Sequence, residues 1–424
     1  MPQPPALDLE LGLASYLTDT PGIGGQLRTE SEDFRVIELG DGPKPGDGPF
    51  TAARIRLRNW ETNRFAAIAA RKLGIKPGMV GFAGMKDKRA VTEQWFTFKC
   101  PEERLANLAE LNDVEVLEHR RTNNKTFAGA HDGNRFVLRV RGHQGDEATV
   151  NACLDQIRAE GGVPHFFGHQ RFGSGVRPIT AQMGKLIVAG DLEGAVRLYC
   201  GQPMEGEREE TYQARKAFDD DGPEAALAIL PRPLDLERSM MERLVKKPED
   251  WRHALMALPH NLRTLFVHAH QSWAFNHILS ARIEAGLGLR TAHVGDRVMG
   301  IEDDGTHTVP VTAANQQRVQ AELDAGRAVL TAPLPGMDTP VAAGEPGAIE
   351  AATLERLGME PRDFRCRELP GAASEGRRRG ILQHVRDLEV AWVDGDPVVS
   401  FGLGRGSYAT VVMREVLKAE PTAY

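Results

Sequence analysis

Asp87 has the most chemically suggestive surroundings in this sequence. It lies in Gly81-Phe82-Ala83-Gly84-Met85-Lys86-Asp87-Lys88-Arg89-Ala90-Val91-Thr92-Glu93-Gln94. An apolar strand ends there at a glycine, and one carboxylate follows among three cations. Cations within a few ångström favour the carboxylate form, so Asp87 is expected to be ionised at working pH. A carboxylate held charged suits a nucleophile or a charge stabiliser better than a general acid. The same cations can receive phosphates. The alternative is a solvated charged turn leading into a helix, with Asp87 near its N-cap.

Three other stretches combine turn formers with aromatic or basic side chains. Gly133-Asn134-Arg135-Phe136 enters a strand. Its Gly and Asn suit a turn with positive φ, and Phe136 is either core or an aromatic for an unstacked base. Gly162-Val163-Pro164-His165-Phe166-Phe167-Gly168-His169-Gln170-Arg171-Phe172-Gly173 packs three aromatics, two histidines, a glutamine and an arginine between glycines. Single-stranded RNA sites use such interleaving, and so would an aromatic loop that staples two domains. Phe401-Gly402-Leu403-Gly404-Arg405-Gly406-Ser407 superficially matches a dinucleotide fingerprint. Only 18 residues follow Gly406, too few for a second strand and its ribose-binding acid. A turn of close backbone approach, to RNA for example, is expected instead.

His270 and His277 would share a helix face, but no third ligand stands at metal spacing, so no metal site is expected. Arg56, Arg58, Arg120, Arg121, Lys125 and the run Arg377-Arg378-Arg379 are candidates for phosphate contact, or merely a solvated face.

The elements that must position these residues read as an α+β layout. Strands are expected at Phe34–Leu39, Arg54–Arg58, Met79–Ala83, Trp95–Phe98, Val114–Leu117 and Phe136–Val140. Helices are expected over Thr62–Leu73, capped by Thr62 or Asn63 and ended by Gly74, and near Glu147–Ala159, closed by Gly161. Strand-strand-helix order calls for an antiparallel or mixed sheet, because a parallel one needs a helix between all strands. From about Ile179 to Arg282 helical patterns dominate, with a long helix over Leu262–Ala285. Pro231-Arg232-Pro233 and Thr331–Gly336 read as breaks. Strands return at Leu388–Val393 and Val398–Phe401, and a helix follows over Tyr408–Leu417. The simplest architecture is one α+β domain with a mostly helical insertion, the N- and C-terminal strands completing one sheet.

Composition bounds the partners. The 424 residues carry 52 Lys and Arg against 59 Asp and Glu, a net charge of −7. That argues against wholesale polyanion binding but not against a local basic groove. Eight carboxylates against three cations in residues 205–224 account for five of those charges. No apolar run approaches the roughly 18–20 residues of a membrane span, and Met1-Pro2-Gln3-Pro4-Pro5 has no signal-peptide character, so no membrane partner is expected. Cys100, Cys153, Cys200 and Cys366 are scattered, without a C-x-x-C pair, which points to a reducing cytoplasm. A monomer is expected.

Ala83-Gly84-Met85-Lys86-Asp87-Lys88-Arg89-Ala90-Val91-Thr92-Glu93-Gln94 resembles the signature of the TruD family of tRNA pseudouridine synthases. So do Glu32-Asp33-Phe34-Arg35-Val36, Gly133-Asn134-Arg135-Phe136, Phe167-Gly168-His169-Gln170-Arg171-Phe172-Gly173 and Gly406-Ser407-Tyr408-Ala409-Thr410. They stand in the family's order across nearly the whole chain. The length and extended middle look more like the archaeal and eukaryotic branch than the shorter bacterial one.

The resemblance implies a pseudouridine synthase catalytic domain over residues 1–168 plus 373–424, interrupted by a family-specific α/β insertion, largely helical, over 169–372. It implies isomerisation of a uridine in a tRNA partner, typically position 13 in the D arm, with no cofactor and no metal. By motif position Asp87 would be the essential aspartate. Asn134 and Phe136 would line the pocket, Phe136 standing where most other pseudouridine synthases carry Tyr. Arg28 falls where the family has a basic residue at the active site. His131 and Asp132 precede Gly133 where a more apolar or basic residue is usual, and His165 stands where Asn is common. Lys86 and Arg171 are expected as phosphate or carboxylate partners.

In that reaction an ionised Asp near the ribose attacks C1′ or removes the C2′ proton, and both routes stay open. A cation such as Arg28 would keep the carboxylate charged and oriented. Phe136 would stack on the uridine after it leaves the helix. The competing reading is a non-catalytic tRNA-binding or folding factor on the same fold. A nucleotide-dependent enzyme using the Gly402 loop is disfavoured by the short tail.

Overall fold

Alternating apolar and polar side chains build the first sheet strand by strand in the computed structural model of the chain. The structure describes residues 3–424 apart from 174, 175, 233, 302 and 304. Six strands come from the first third of the chain: β1 (Phe34–Leu39), β2 (Phe50–Arg58), β3 (Val80–Phe82), β4 (Val91–Phe98), β5 (Val114–Thr122) and β6 (Gly133–Arg139). Two more, β7 (Arg386–Val393) and β8 (Asp396–Leu403), come from its end. The order is β7-β8-β6-β1-β4-β2-β5, with β3 also on β4. β1 and β4 run parallel and the remaining pairs antiparallel, so the sheet is mixed. It joins the two ends of the chain where β8 pairs with β6.

Helix α1 (Thr62–Lys72) buries Thr62, Phe65, Ala66, Ala69 and Ala70, the i, i+3, i+4, i+7, i+8 stripe of an amphipathic helix. That stripe packs on Ala53, Ile55 and Leu57 of β2 and Phe96 and Phe98 of β4. The small alanines let the helix lie close to the sheet, and Phe65 stacks edge-on to Phe96 with centroids 4.8 Å apart. The expected cap was Thr62 or Asn63. Glu61 caps instead, its carboxylate accepting from the Asn63 and Arg64 amides, because Thr62 is buried and its hydroxyl is used elsewhere. Helix α2 (Glu147–Glu160) is capped by Asp146 and closed by Gly161 in the left-handed region. Helix α3 (Ala409–Leu417) follows β8.

The chain divides into two compact units. Among the described residues, the first holds 3–5, 16–163 and 383–424, hence the whole sheet above. The second holds 6–15 and 164–382. The excursion leaves and re-enters the first unit at adjacent points, since the Val385 amide donates to Gly161 O at 3.3 Å.

The second unit is helical from Thr180–Ala189 through His260–Glu284. Its core is formed by residues such as Met183, Ile187, Val196, Leu198, Met240, Leu255 and Phe266. A four-stranded sheet runs Arg377–Gly380, Ala328–Leu334, Arg297–Gly300, Val309–Pro310. Two expectations fail here. The proline-bearing stretch Thr331–Gly336, read as a break, is mostly strand, because Val329, Leu330, Ala332 and Leu334 are buried and that packing overrides the local signal of Pro333. The Arg377 run is not a solvated face: it pairs with that strand, and Arg378 is buried. Of Pro231-Arg232-Pro233, Pro233 lies outside the described residues.

Candidate active site

Asp87 sits on the eight-residue loop between β3 and β4. The strand following it, and not a helix, removes the reading of Asp87 as a helix N-cap. β4 is bordered by β1 at residues 91–93 and by β3 at residues 96–98. Between those two pairings the Trp95 amide would be left without a ladder partner. Glu38 of β1 fills the gap, accepting from Trp95 N at 3.3 Å. Its other oxygen lies 3.4 Å from Lys86 Nζ.

The loop is fixed at two further points, whose anchors also meet each other. The Lys86 amide donates to Thr62 Oγ1 at 2.8 Å. Gln94 Nε2 donates to Gly84 O at 3.2 Å, and the Thr62 hydroxyl lies 3.4 Å from Gln94 Oε1. Thr62, Lys86 and Gln94 are all buried, so Asp87 stands on a backbone locked by satisfied polar contacts. Burial pushes Glu38 up and Lys86 down, each partly offset by the opposite charge beside it. Lys86 is therefore an internal strut. Of the phosphate or carboxylate partner expected for it, the buried Nζ meets a carboxylate, that of Glu38.

The Asp87 side chain remains 51% exposed, and Arg28 Nη2 donates to its Oδ2 at 2.7 Å. Arg28 adopts φ +59°, uncommon for a residue with a Cβ. Its guanidinium lies 3.9 Å from the centroid of the Phe34 ring, a cation–π geometry. Arg89 donates to Arg28 O at 3.2 Å, which pins the backbone from the loop's other side. Phe34 meets Phe136 edge-on at 6.4 Å, and Phe136 stacks on Phe401 at 5.6 Å.

Cross-strand register explains the alignment. Val36 and Phe401 lie opposite Phe136, and Glu38 and Leu403 opposite Asn134. Direct partners project to the same face. One face thus carries the Phe34–Phe136–Phe401 aromatic row and the polar pair Glu38 and Asn134. Among the described residues, Asn134 Oδ1 is buried without a hydrogen-bond partner, the kind of acceptor a bound polar group would satisfy.

The structure brings Asp87, Arg28, Lys86, Asn134 and Phe136 together on one unit. Arg171 belongs to the other unit, where its Nε donates to Ser272 Oγ at 3.0 Å. The aromatics of its stretch are not a stacking platform: Phe166, Phe167 and Phe172 are buried, and Asn276 bonds the Phe167 main chain in both directions. Other expected phosphate contacts are engaged internally. Arg56 pairs with Glu93 and Glu115, Arg58 with Glu32, and Arg121 donates to Cys100 O.

Glu38, Thr62, Gln94, Phe34 and Phe401 escaped the sequence reading as site residues. Glu38 had a usable signal. It stands at the inward position of the Phe34, Val36, Glu38 alternation, and a charge there needs a partner.

The sequence model of the family described as tRNA pseudouridine synthase D (TruD) matches residues 10–416 of this chain. The chain belongs to the TruD family. A Methanosarcina mazei protein described as "Probable tRNA pseudouridine synthase D" is 38% identical over 434 residues, covering 98% of each chain. One from Natronomonas pharaonis with the same description is 39% identical over 434 residues, covering 97% of each. A crystal structure of a Methanosarcina mazei TruD protein superposes with a TM-score of 0.88 at 37% identity, covering 99% of both chains. The TruD fold is thus an α+β fold, as the alternation of elements foretold.

Proposed function

We propose that this chain converts a uridine of tRNA, at position 13 in the D arm, to pseudouridine. Asp87 is the essential carboxylate, and the first unit is the catalytic domain. The observation that carries the reading is the half-exposed Asp87 gripped by Arg28 on a locked loop, beside an aromatic row, in a chain of the TruD family.

The isomerisation breaks the N1–C1′ bond, rotates the base, forms the C5–C1′ bond and moves a proton from C5 to N1. Atoms and electrons are conserved, so no redox cofactor is called for. Asp87 attacks C1′ or takes the C2′ proton. Arg28, held flat against Phe34, fixes which carboxylate oxygen faces the ribose. Phe136, backed by the fully buried Phe401, offers an apolar edge to the extruded base, and Asn134 Oδ1 offers an acceptor to a uracil N–H.

The compartment proposed is the cytoplasm, which the four free, buried cysteines suit. Among the described residues no helix is long and apolar enough to cross a membrane. The protein is proposed to act as a monomer.

The test is site-resolved pseudouridine mapping of unmodified tRNA transcripts incubated with purified protein. Wild type is expected to form product and Asp87→Asn none. Equal product from both would overturn the assignment of Asp87. Binding without product from wild type would favour a tRNA-binding factor.

A further inference from the structure

The loop joining β5 to β6 presents an aromatic side chain that the chemistry above does not use. Phe127 is 73% exposed and Met85, two residues before Asp87, is equally so. Large apolar side chains are costly to leave in water, and these two stand on backbone tied to the Asp87 loop. Gly129 N donates to Ala83 O at 2.7 Å, and Ala130 N closes a turn on Phe127 O at 3.2 Å. Thr126 N donates to Thr97 Oγ1 at 2.9 Å. Arg405 Nη1 donates to Gly129 O at 2.9 Å. Met85 is steadied from α1, where Asn63 Nδ2 lies 3.4 Å from its sulfur. Phe127 is thus held out by a fixed main chain, so little ordering remains to oppose a ligand that covers it.

We propose that Phe127, with Met85 exposed on the loop it is tied to, is a stacking platform for a nucleobase adjoining the target uridine, covering the face that uridine exposes when it leaves the stack. The identity of the ligand as RNA rests on the proposed isomerase function. The surroundings favour a nucleotide over an apolar protein segment, because Lys88, Arg89 and Lys125 are exposed on these same loops, and the exposed Arg405 reaches the Phe127 loop from the turn after β8. An unstacked nucleotide brings a π-face for the ring and phosphates for the cations. The carboxylates Asp87 and Asp132 are exposed on the same loops, and the cations outnumber them.

Three Phe127 variants and a fluorescent tRNA decide it. Phe127→Ala is expected to lower kcat/KM on a tRNA transcript about tenfold, while Phe127→Trp stays within about threefold of wild type. The thermal midpoint should not move in either, since the side chain is exposed. For binding alone, Asp87→Asn is mixed with transcripts carrying 2-aminopurine on either side of uridine 13. The fluorescence change on binding is expected at one of the two positions and should vanish in Asp87→Asn/Phe127→Ala.

Wild-type kinetics in Phe127→Ala, or a binding signal indifferent to it, would overturn the platform and leave the isomerase intact. A Phe127-dependent signal with no pseudouridine from wild type would overturn the isomerase and leave the platform.

Discussion

Two arginines, one in each unit, show how differently this chain treats a guanidinium largely shielded from water. Arg378 lies in the small sheet of the second unit. Its Nε donates to Thr331 Oγ1 at 2.8 Å, Nη1 to Pro340 O at 2.8 Å and to Glu350 at 3.1 Å, and Nη2 to Thr331 O at 2.7 Å and to the other Glu350 oxygen. Its donors are saturated from fixed directions, as a buried charge requires. Arg28 in the first unit makes one side-chain bond to a carboxylate half open to solvent. Among the described residues its Nε is buried without a hydrogen-bond partner, and its flat face rests on Phe34. A charge that only holds the fold is closed off. Arg28, which the proposed chemistry uses, keeps donor capacity that the fold leaves unused.

Asp87→Asn cuts that contrast most deeply. Product formation should fall by about 10⁴-fold or more, as for the loss of a single catalytic group. Urea unfolding should shift by no more than about 0.5 kcal/mol, because half-exposed ion pairs contribute little. Single-turnover rates and denaturation curves measure the two, and a loss of several kcal/mol would make Arg28–Asp87 a structural pair after all.

Glu350→Ala is the converse. It strands Arg378 without its carboxylate and should cost about 3–5 kcal/mol in the same denaturation assay. A near-neutral result would show that the saturated pair is not what holds the small sheet.

Acid separates the units further. Burial pushes His270 of the second unit down to about 3, from an ordinary value near 6.5. As pH falls through about 6.5 the unfolded chain takes the proton first. Stability present above that value is therefore lost progressively towards pH 3, at about 1.4 kcal/mol per pH unit. His277 on the same helix is pushed down to about 4 by burial and adds to the slope, so His270→Gln should lower the slope measured by denaturation between pH 7 and pH 5 by about that amount without abolishing it.

The smallest effect is expected from Arg28→Lys. The charge survives, while the planar contact with Phe34 and the fixed donor geometry are lost. A drop in kcat of about tenfold, or roughly 1.4 kcal/mol, is expected without a change in stability. An unchanged rate would mean that charge alone matters at this position.

Much of this contrast was legible before folding was considered. Asp87 stood out because cations crowd it within one loop, a local pattern. The strand positions of β1 and α1's apolar stripe were legible for the same reason, since period two and period 3.6 are written in adjacent residues. Phe136 was ambiguous between core and site: it is buried, and its ring lies in the row that leads to Arg28. Arg378 was misread because a run of three arginines looks solvated until Glu350 is brought to it from 28 residues away. Phe401 and Thr62 were invisible for a like reason: Phe401 meets Phe136 only once β8 pairs with β6, and Thr62 meets Lys86 from 24 residues away. Gln94 stands in the same stretch as Gly84, but only the folded loop shows the bond between them.

One consequence of the sheet concerns time. The aromatic wall needs Phe401 against Phe136, and Arg135 reaches Ser400 across 265 residues. On a ribosome adding roughly 5–20 residues per second, the loop bearing Asp87 emerges tens of seconds before the strand that completes its pocket. A nascent chain therefore carries the acid without the wall, and cannot hold a uridine until its last strands are made. Truncation anywhere before β8 should yield a protein that is inert rather than partly active.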